Sequence, residues 1–358
     1  MVTVKKELII DDDMNFAAEV SSVFHMLCAL SFANKLSKER YVKGTIFIRN
    51  HFIKNDPISE QVLEFENLRL EFVSFRDKYR HLEFTSKSEG KKDKNNNVIY
   101  LLSVKVPNLD MYLKYRSNTN KKIQAIVIDE GTGTYYNFSG IFYPLKTFLK
   151  KLLICMNLST VKKYFFLKRK GNKIFPDREV VSDLVEVIDK YNKARSVPEL
   201  DILKAPGRKY AVLISGLFIE MGLISQEEYK KHLYEIKNIL ESYGVSLLIK
   251  PYQSEDLEKY NDFNFDILPW DAPCECVFPI LKPVMTIGFL STSMVTGKVL
   301  YDIDTIDVGD IFGLKNDIPF ESRYNKVYEL FGEYISRADS PGKFEECVKN
   351  IARKKNLA

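Results

Sequence analysis

A short apolar stretch that ends in an acidic turn constrains the fold of this 358-residue chain more than any other feature. Ala125-Ile126-Val127-Ile128 is a continuous, largely β-branched run, which is typical of a strand buried on both faces of a parallel sheet. Asp129-Glu130-Gly131-Thr132-Gly133-Thr134 follows at once and predicts a turn at the carboxyl end of that strand. Because open α/β sheets bind their ligands at this edge, the sequence predicts an α/β fold with a site here.

The turn offers two adjacent carboxylates, Asp129 and Glu130, and either is a candidate general base. Gly131 and Thr132 of the same turn are candidate substrate-binding residues. The alternative is an ordinary surface turn, in which Asp, Glu and Gly are common. The stretch alone leaves both interpretations open.

Length and cysteine content limit the class of protein. A chain of this length predicts two domains of roughly 150–200 residues each. The five cysteines are odd in number and lack CxxC spacing, and the four histidines lack spacing such as HExxH. We therefore predict no disulfide framework, no metal site and a reducing compartment.

Charge and hydropathy limit the partners. The net charge of +5 is too small to indicate nucleic acid. The N-terminus turns acidic where a secretion signal needs its apolar core, and no apolar run reaches the roughly 18 residues of a membrane span. The stretch 162–170 mixes basic and aromatic residues, which fits a solvated face or contact with an anionic membrane surface.

Strand and helix patterns alternate in the first half, as in an α/β layer fold. Helical spacing is found in Val23–Leu36, which Ser21-Ser22 can cap, and in Tyr143–Met156. Residues 86–97 are polar and predict a solvated or disordered loop. The remaining predicted strands of this half are Phe16–Ser21, Gly44–Arg49, Leu68–Phe75 and Ile99–Val106.

Residues 191–208, which include two prolines and a glycine, lack a clear strand or helix pattern and precede a second series of strands and helices. Ser225 and Glu228 match a capping box, and the helix they open is predicted to end before Gly244. Tyr324–Lys355 is predicted to be helical. The predicted strands are Tyr210–Ser215, Val245–Ile249 and Val284–Leu290. The predicted boundaries are a first domain of residues 1–195, a linker of residues 196–208, a second domain of residues 209–320 and a helical segment of residues 321–358.

Three polar clusters of the second half follow predicted strands. Ser291-Thr292-Ser293 begins a helix after a strand, an arrangement that binds anions such as phosphate. Lys250 could offset the charge of that phosphate, and Glu275 could accept hydrogen bonds from ribose hydroxyls. Each cluster taken alone also fits a plain helix cap, a solvated lysine or a surface carboxylate.

These motifs resemble those of the bacterial GT-B sialyltransferases, which include lipooligosaccharide sialyltransferases and polysialyltransferase-like proteins of capsule synthesis. Asp129-Glu130-Gly131 matches their D/E-D/E-G motif, whose acidic residue acts as the general base. Ser291-Thr292 matches the Ser-Ser/Thr motif that holds the CMP phosphate, and Pro273-Cys274-Glu275 resembles the P-x-E turn whose Glu binds the ribose. The segment 21–29 resembles their opening strand and helix, so Ser22 is a further candidate substrate contact.

One position departs from the family pattern. Many members read K-P-H-P where this chain has Lys250-Pro251-Tyr252-Gln253, so Tyr252 stands in place of a histidine that acts on the leaving phosphate. A tyrosine hydroxyl can donate a hydrogen bond but is not positively charged at pH 7. Tyr252 is thus a candidate catalytic residue, and Lys250 or the helix at Ser291 is a candidate for supplying the missing positive charge.

The resemblance implies a GT-B fold, with two Rossmann-like domains facing a central cleft and C-terminal helices packing back on the first domain. It implies an inverting, metal-independent transferase without a cofactor, which moves sialic acid from CMP-sialic acid to a sugar hydroxyl of a bacterial surface glycan. It also implies a cytoplasmic protein and leaves open peripheral contact with the inner face of the membrane. The oligomeric state is open.

Two other functions fit the same residues. One is a GT-B transferase with a different nucleotide-sugar donor. The other is a non-catalytic member of a glycan assembly complex, which the absence of the family histidine suggests.

Overall fold

The computed structural model forms two units, and each contains a six-stranded parallel sheet among the residues described. The structure describes residues 9–10, 15–49, 67–74, 85–86, 98–104, 108–118, 121–129, 131, 135, 161–170, 173–194, 207–252, 255–261, 265–268, 272–314, 325 and 327–357. Among these residues, no helix combines the length and the apolar composition needed to cross a membrane.

The first unit comprises Met1–Glu130, Ser139–Phe166 and Asp177–Arg195. Its strands are β1 (Ile9–Ile10), β2 (Phe16–Val20), β3 (Val42–Ile48), β4 (Leu68–Ser74), β5 (Thr85–Ser86), β6 (Val98–Val104), β7 (Lys122–Ile128) and β8 (Lys162–Tyr164). The large sheet has the order β4-β3-β2-β6-β7-β8 with every pair parallel, and β1 pairs with β5 separately. Its helices are α1 (Val23–Ser37), α2 (Leu109–Asn118) and α3 (Arg178–Ala194).

The strand β7 confirms the central prediction from the sequence. It pairs with β6 on one side and β8 on the other, and its residues from Ile123 to Ile128 are buried. A strand with neighbours on both edges and cover on both faces favours a continuous apolar run over an alternating one. The other predicted strands of this half are all present within one or two residues of their expected ends, and β7 itself begins three residues before Ala125.

The second unit comprises Gly131–Phe138, Leu167–Pro176 and Ser196–Ala358. Its strands are β9 (Leu167–Lys170), β10 (Lys173–Pro176), β11 (Lys209–Ile214), β12 (Val245–Lys250), β13 (Asp266–Ile267), β14 (Met285–Gly288), β15 (Asp304–Asp307) and β16 (Ser336–Arg337). The large sheet has the order β13-β12-β11-β14-β15-β16 and is parallel throughout, while β9 and β10 form an antiparallel pair. Its helices are α4 (Gln226–Ser242), α5 (Cys274–Leu281), α6 (Thr292–Tyr301) and α7 (Pro341–Lys354), and Leu257–Tyr260 is a 3₁₀ turn.

Local signals define α4 as predicted. The Ser225 side chain accepts a hydrogen bond from the Glu228 amide while the Glu228 side chain returns to the Ser225 amide, which completes the capping box. Gly244 has φ +68° just after the helix and allows the chain to reverse into β12. The apolar face of α4 enters the core of this unit.

The C-terminal region differs from its prediction. Residues 324–355 are not uniformly helical, since β16 precedes α7, and β15 was not predicted. Phe344, Val348 and Ile351 place the apolar face of α7 in the core of the second unit, where we expected these helices to pack on the first. The helix α3 was also not predicted, and the predicted helix Tyr143–Met156 lies outside the described residues.

Both large sheets have the same strand order. Numbered one to six in chain order, the strands of each lie as 3-2-1-4-5-6. In this doubly wound arrangement the crevice between strands one and four, at the carboxyl edge, is the ligand-binding position. In the first unit β2 leads into Ser21-Ser22 at this position, and in the second β14 leads into Ser291.

Candidate functional site

The N-terminus of α6 lies at the switch point of the second sheet. Ser291 is the N-cap, with extended backbone angles, and its side chain accepts a hydrogen bond from the Ser293 amide at 3.3 Å. Thr292 and Ser293 occupy the first turn and are partly exposed. Amide groups and the positive end of the helix dipole point to the same place, which is the geometry of a phosphate site.

Gly131 of the acidic turn lies directly against this helix N-terminus. Its φ is +107°, and a Cβ at this position would come within 2.6 Å of Thr292 Oγ1. A side chain is therefore excluded by the backbone conformation and by the contact together. The fold thus brings together two motifs that are 161 positions apart in the sequence, Gly131 and Thr292.

A second anchor holds the same segment in the second unit. Tyr135 is buried, and its hydroxyl accepts a hydrogen bond from the Leu167 amide at 3.1 Å. Its ring packs edge-on against Phe331, with 5.9 Å between ring centroids. Gly131 and Tyr135 are therefore both held by the unit that contains α6.

Asp129 immediately follows β7 in the first unit, and its exposed fraction is 1%. It borders a crevice too narrow for a water molecule, with Cys28, Ser31 and Tyr164 among the lining residues. The Tyr164 hydroxyl lies 2.8 Å from Ser31 Oγ and donates to Asp183 at 3.1 Å. Glu130 and Thr132 lie outside the described residues.

Lys250 is a buried cation at the carboxyl end of β12, with an exposed fraction of 6%. Its ammonium group donates to the Pro251 carbonyl at 3.1 Å, the hydrogen bond found for it among the described residues. An ammonium group has three donors, so Lys250 can also donate to an anionic ligand. The positive charge of Lys250 also acts on the neighbouring thiol of Cys274. Burial raises the pKa of that thiol to about 12, and the charge of Lys250 opposes this rise.

Glu275 connects α5 to α6. Its carboxylate accepts a hydrogen bond of 2.5 Å from Thr296 Oγ1 and is also hydrogen-bonded by Ser293. Burial raises the pKa of Glu275, while these hydrogen bonds and the charge of Lys250 lower it. At 2% exposure the carboxylate braces the first turns of α6 in this structure. Its predicted contact with a ribose stays a prediction.

Tyr252 follows Lys250 on an exposed segment, and 54% of its surface is accessible. Its backbone amide donates to Glu255 Oε2 at 2.6 Å. The other oxygen of Glu255 accepts from Ser215, Tyr260 and Lys259 at 2.6, 2.6 and 2.5 Å. This buried group fixes the backbone at Tyr252 and leaves its side chain at the surface.

Ser22 has a structural role in the described geometry. Its side chain accepts a hydrogen bond from the His25 amide at 3.2 Å and so caps α1. The neighbouring Ser21 hydroxyl lies 2.9 Å from the His25 ring nitrogen Nδ1. The position of Ser22 at the switch point of the first sheet keeps it a candidate contact for a substrate.

The sequence interpretation missed three residues that shape the site: Glu255, Thr296 and Asp307. Asp307 ends the short strand β15, whose sequence Asp304-Thr305-Ile306-Asp307 contains no continuous apolar run, so it gave no signal like the one before Asp129. Glu255 and Thr296 had no sequence signal either, because Glu and Thr are common on protein surfaces. Their hydrogen-bond partners are distant in sequence or one helical turn away.

The family model of the alpha-2,8-polysialyltransferases matches residues 22–309, which is most of the chain. The chain belongs to this family. The predicted resemblance to bacterial sialyltransferases and polysialyltransferases is confirmed, and the polysialyltransferase family makes this protein a glycosyltransferase. A comparison with curated proteins gave no match.

Solved structures with similar folds share little sequence with this polysialyltransferase family member. The UDP-GlcNAc 2-epimerase from Methanocaldococcus jannaschii has a TM-score of 0.52 at 10% identity, over 94% of this chain and 92% of that chain. A sialyltransferase from Photobacterium damsela has a TM-score of 0.46 at 10% identity, over 91% and 81%. The first similarity indicates the fold alone. The two parallel Rossmann-like units confirm the predicted GT-B fold class.

Proposed function

We propose that this polysialyltransferase family member transfers sialic acid from CMP-sialic acid to a sugar hydroxyl of a surface glycan, with inversion at the anomeric carbon. The observation that supports this most is the α6 N-terminus at the switch point, which lies on the same sheet edge as buried Lys250. A helix N-terminus and one cation match the single phosphate of CMP.

In the proposed reaction, Asp129 accepts the proton of the acceptor hydroxyl, with Glu130 as the rival for this role. The acceptor oxygen forms a bond to the anomeric carbon while the bond from that carbon to the phosphate oxygen of CMP breaks. The phosphate keeps the electron pair. A single displacement of this kind inverts the configuration.

The leaving phosphate is held by Lys250, the hydroxyls of Ser291 and Thr292 and the amides of the first turn of α6. These groups are in place before the reaction, so they can stabilise charge as it develops without reorganising. Tyr252 can add one hydrogen bond from its hydroxyl. Because a cation and a helix dipole offset one phosphate, we propose that no divalent metal is required; transfer that stops with EDTA and returns with Mg²⁺ would contradict this.

The first test is calorimetric titration with CMP, with UMP and UDP as competitors. We expect selective CMP binding that weakens in the Ser291→Ala/Thr292→Ala double variant. Preferred binding of UDP would replace the donor, and no binding of any nucleotide would contradict the proposed reaction. The base role is tested by transfer assays, in which Asp129→Ala or Glu130→Ala should abolish transfer while CMP binding persists.

We also propose peripheral contact with an anionic membrane. The antiparallel pair β9–β10 places Lys168 opposite Phe175 and Lys170 opposite Lys173, so these four side chains share one exposed face. Basic residues beside an exposed aromatic ring suit an anionic lipid surface. Flotation with vesicles should recover the protein with phosphatidylglycerol and not with phosphatidylcholine alone; equal recovery would contradict the proposal.

A further inference from the structure

The turn that leads into α6 contains a side-chain-bearing residue in the left-handed region. Leu290 has φ +50° and immediately precedes the N-cap Ser291. Residues other than glycine rarely adopt this conformation, because it is strained for them. They hold it where contacts with the surrounding structure stabilise it. Gly288, two residues earlier, ends the strand β14, so Leu290 lies within the turn. The contact that holds Leu290 therefore affects the direction in which α6 begins.

That contact comes from Asp307, at the carboxyl end of the neighbouring strand β15. Asp307 Oδ2 accepts a hydrogen bond of 2.6 Å from the Leu290 amide, and Oδ1 accepts one of 3.1 Å from the Gly309 amide. The residue has an exposed fraction of 0%. Hydrogen bonds from amides to a carboxylate are stronger than those between neutral groups, and burial shields them from water.

Backbone hydrogen bonds also hold the end of β15 to its neighbours on both sides. The Val308 amide donates to the Gly288 carbonyl at 3.0 Å, and the Asp307 carbonyl accepts from the Ala338 amide at 2.9 Å. Tyr328 interacts with the same carboxylate: burial, and then the charge of Asp307, raise the pKa of its hydroxyl. Asp307 is thus held by its own segment and its neighbours, and the position of its Oδ2 atom determines where the Leu290 amide lies.

We propose that Asp307 is a positioning residue for the donor phosphate: it holds Leu290 in the left-handed conformation and so aims the Ser291-Thr292-Ser293 amides and hydroxyls at the phosphate. This inference rests on the proposed function for its ligand. Asp307 itself touches no substrate, because Leu290 lies between Asp307 and the N-cap residue Ser291. The orientation of the phosphate-binding groups thus depends on a residue of β15, although the helix that carries them follows β14.

The main variant is Asp307→Asn, which keeps the shape of the side chain and one acceptor oxygen. That oxygen can serve one of the two amides, so the other loses its partner. Since a hydrogen bond to a charged group is at stake, we expect the Kd for CMP to rise about tenfold or more. The KM for the acceptor should be unchanged, because the acceptor does not contact this turn in the proposal.

A glycine at position 290 provides the rescue. Glycine adopts positive φ without a side-chain penalty, so Asp307→Asn/Leu290→Gly should bind CMP more tightly than Asp307→Asn alone. Leu290→Val should weaken CMP binding with Asp307 intact, since a β-branched residue disfavours this conformation. If Asp307→Asn does not fold, the two single variants Leu290→Val and Leu290→Gly test the proposal. Equal CMP affinity in these two variants and the wild type would overturn it.

The control is Asp304→Asn, the same substitution at the other end of β15. Asp304 forms ion pairs with Lys298 and Lys354, so this variant can lower the melting temperature but should leave CMP affinity at the wild-type value. A loss of CMP affinity that is equal in Asp304→Asn and Asp307→Asn would assign Asp307 a purely structural role and overturn the proposal.

Amide hydrogen exchange separates this inference from the proposed function. In Asp307→Asn, exchange should increase in peptides that cover residues 289–293 and stay unchanged in peptides from α4, whether or not CMP binds. Unchanged exchange at residues 289–293 would overturn the positioning role. A wild-type protein that binds no CMP but shows the expected exchange pattern would contradict the proposed donor while supporting the role of Asp307 in orienting the turn.

Discussion

Gly131 lies against Thr292 so closely that a Cβ on the glycine would fall 2.6 Å from the threonine hydroxyl oxygen. The glycine belongs to the acidic turn after β7, and the threonine belongs to the first turn of α6. Both residues belong to the second unit, so the contact places Gly131 against the helix that holds the proposed phosphate. It explains why glycine is required here in terms of space as well as backbone conformation.

Replacing Gly131 with alanine should reduce both stability and transfer. The variant combines a left-handed φ with a steric clash, and we expect a loss of roughly 2 kcal/mol or more in the free energy of unfolding, with weaker CMP binding because Thr292 must move. The matched control is Gly207→Ala: Gly207 has φ +81° and no atom within 4 Å of its ideal Cβ. Thermal unfolding and calorimetry should show the nucleotide effect in Gly131→Ala alone. Similar CMP affinities in the two variants would show that the contact with Thr292 has no effect on the site.

Lys250, rather than Tyr252, should provide most of the stabilisation of the leaving phosphate. Lys250→Met keeps the length of the buried side chain and removes its charge, so we expect kcat to fall about 10²-fold. Tyr252→Phe removes one neutral hydrogen bond from an exposed side chain and should lower kcat by at most about tenfold. Steady-state kinetics with CMP-sialic acid measure both values. A larger loss in Tyr252→Phe would assign the leaving-group role to the tyrosine hydroxyl.

The sequence predicted the parts of the site that depend on neighbours along the chain. The buried strand before Asp129, the capping box at Ser225 and the Ser291 cap are local patterns, and the structure confirms each. The contact of Gly131 with Thr292 could not be predicted from spacing, because it depends on how the chain enters the second unit. The short strand β16 was missed since two residues carry no periodicity.

The resemblance to the family identified residue types and left their environment undetermined. Glu275 matches the ribose-binding motif in sequence, yet its carboxylate is buried and hydrogen-bonded to Thr296 and Ser293. Asp307 accepts from the Leu290 amide on another strand's turn, and Glu255 accepts from the Tyr252 amide three residues before it while it also binds Ser215. The contacts with Leu290 and Ser215 depend on tertiary structure, and no local pattern reports them.

Removing the charge of Glu255 should destabilise the second unit. Glu255 and Lys259 have side-chain exposures of 0% and 5%, so Glu255→Gln leaves a buried ammonium with Glu220 as its remaining acidic partner. Breaking a buried pair in this way costs about 3 kcal/mol or more. The control is Glu258→Gln, an exposed position one residue before Lys259, which should change stability by no more than about 0.5 kcal/mol. Equal melting temperatures for the two variants would show that the buried pair contributes nothing to stability.

Glu275 and Glu186 should affect stability with opposite dependences on pH. Burial raises the pKa of Glu275 above its ordinary 4.5, so its favourable contribution to folding is complete below pH 4.5 and is lost as the pH rises through the folded-state pKa. Hydrogen bonds from Lys38 lower the pKa of Glu186 to about 2, so its contribution is present above pH 4.5 and is lost as the pH falls towards 2. Melting temperatures from pH 3 to pH 8 should therefore show Glu275→Gln gaining on the wild type as the pH rises and Glu186→Gln falling behind it. Because both variants replace one carboxylate by an amide, a shared trend would reflect the net charge, and it would contradict the assigned surroundings of both residues.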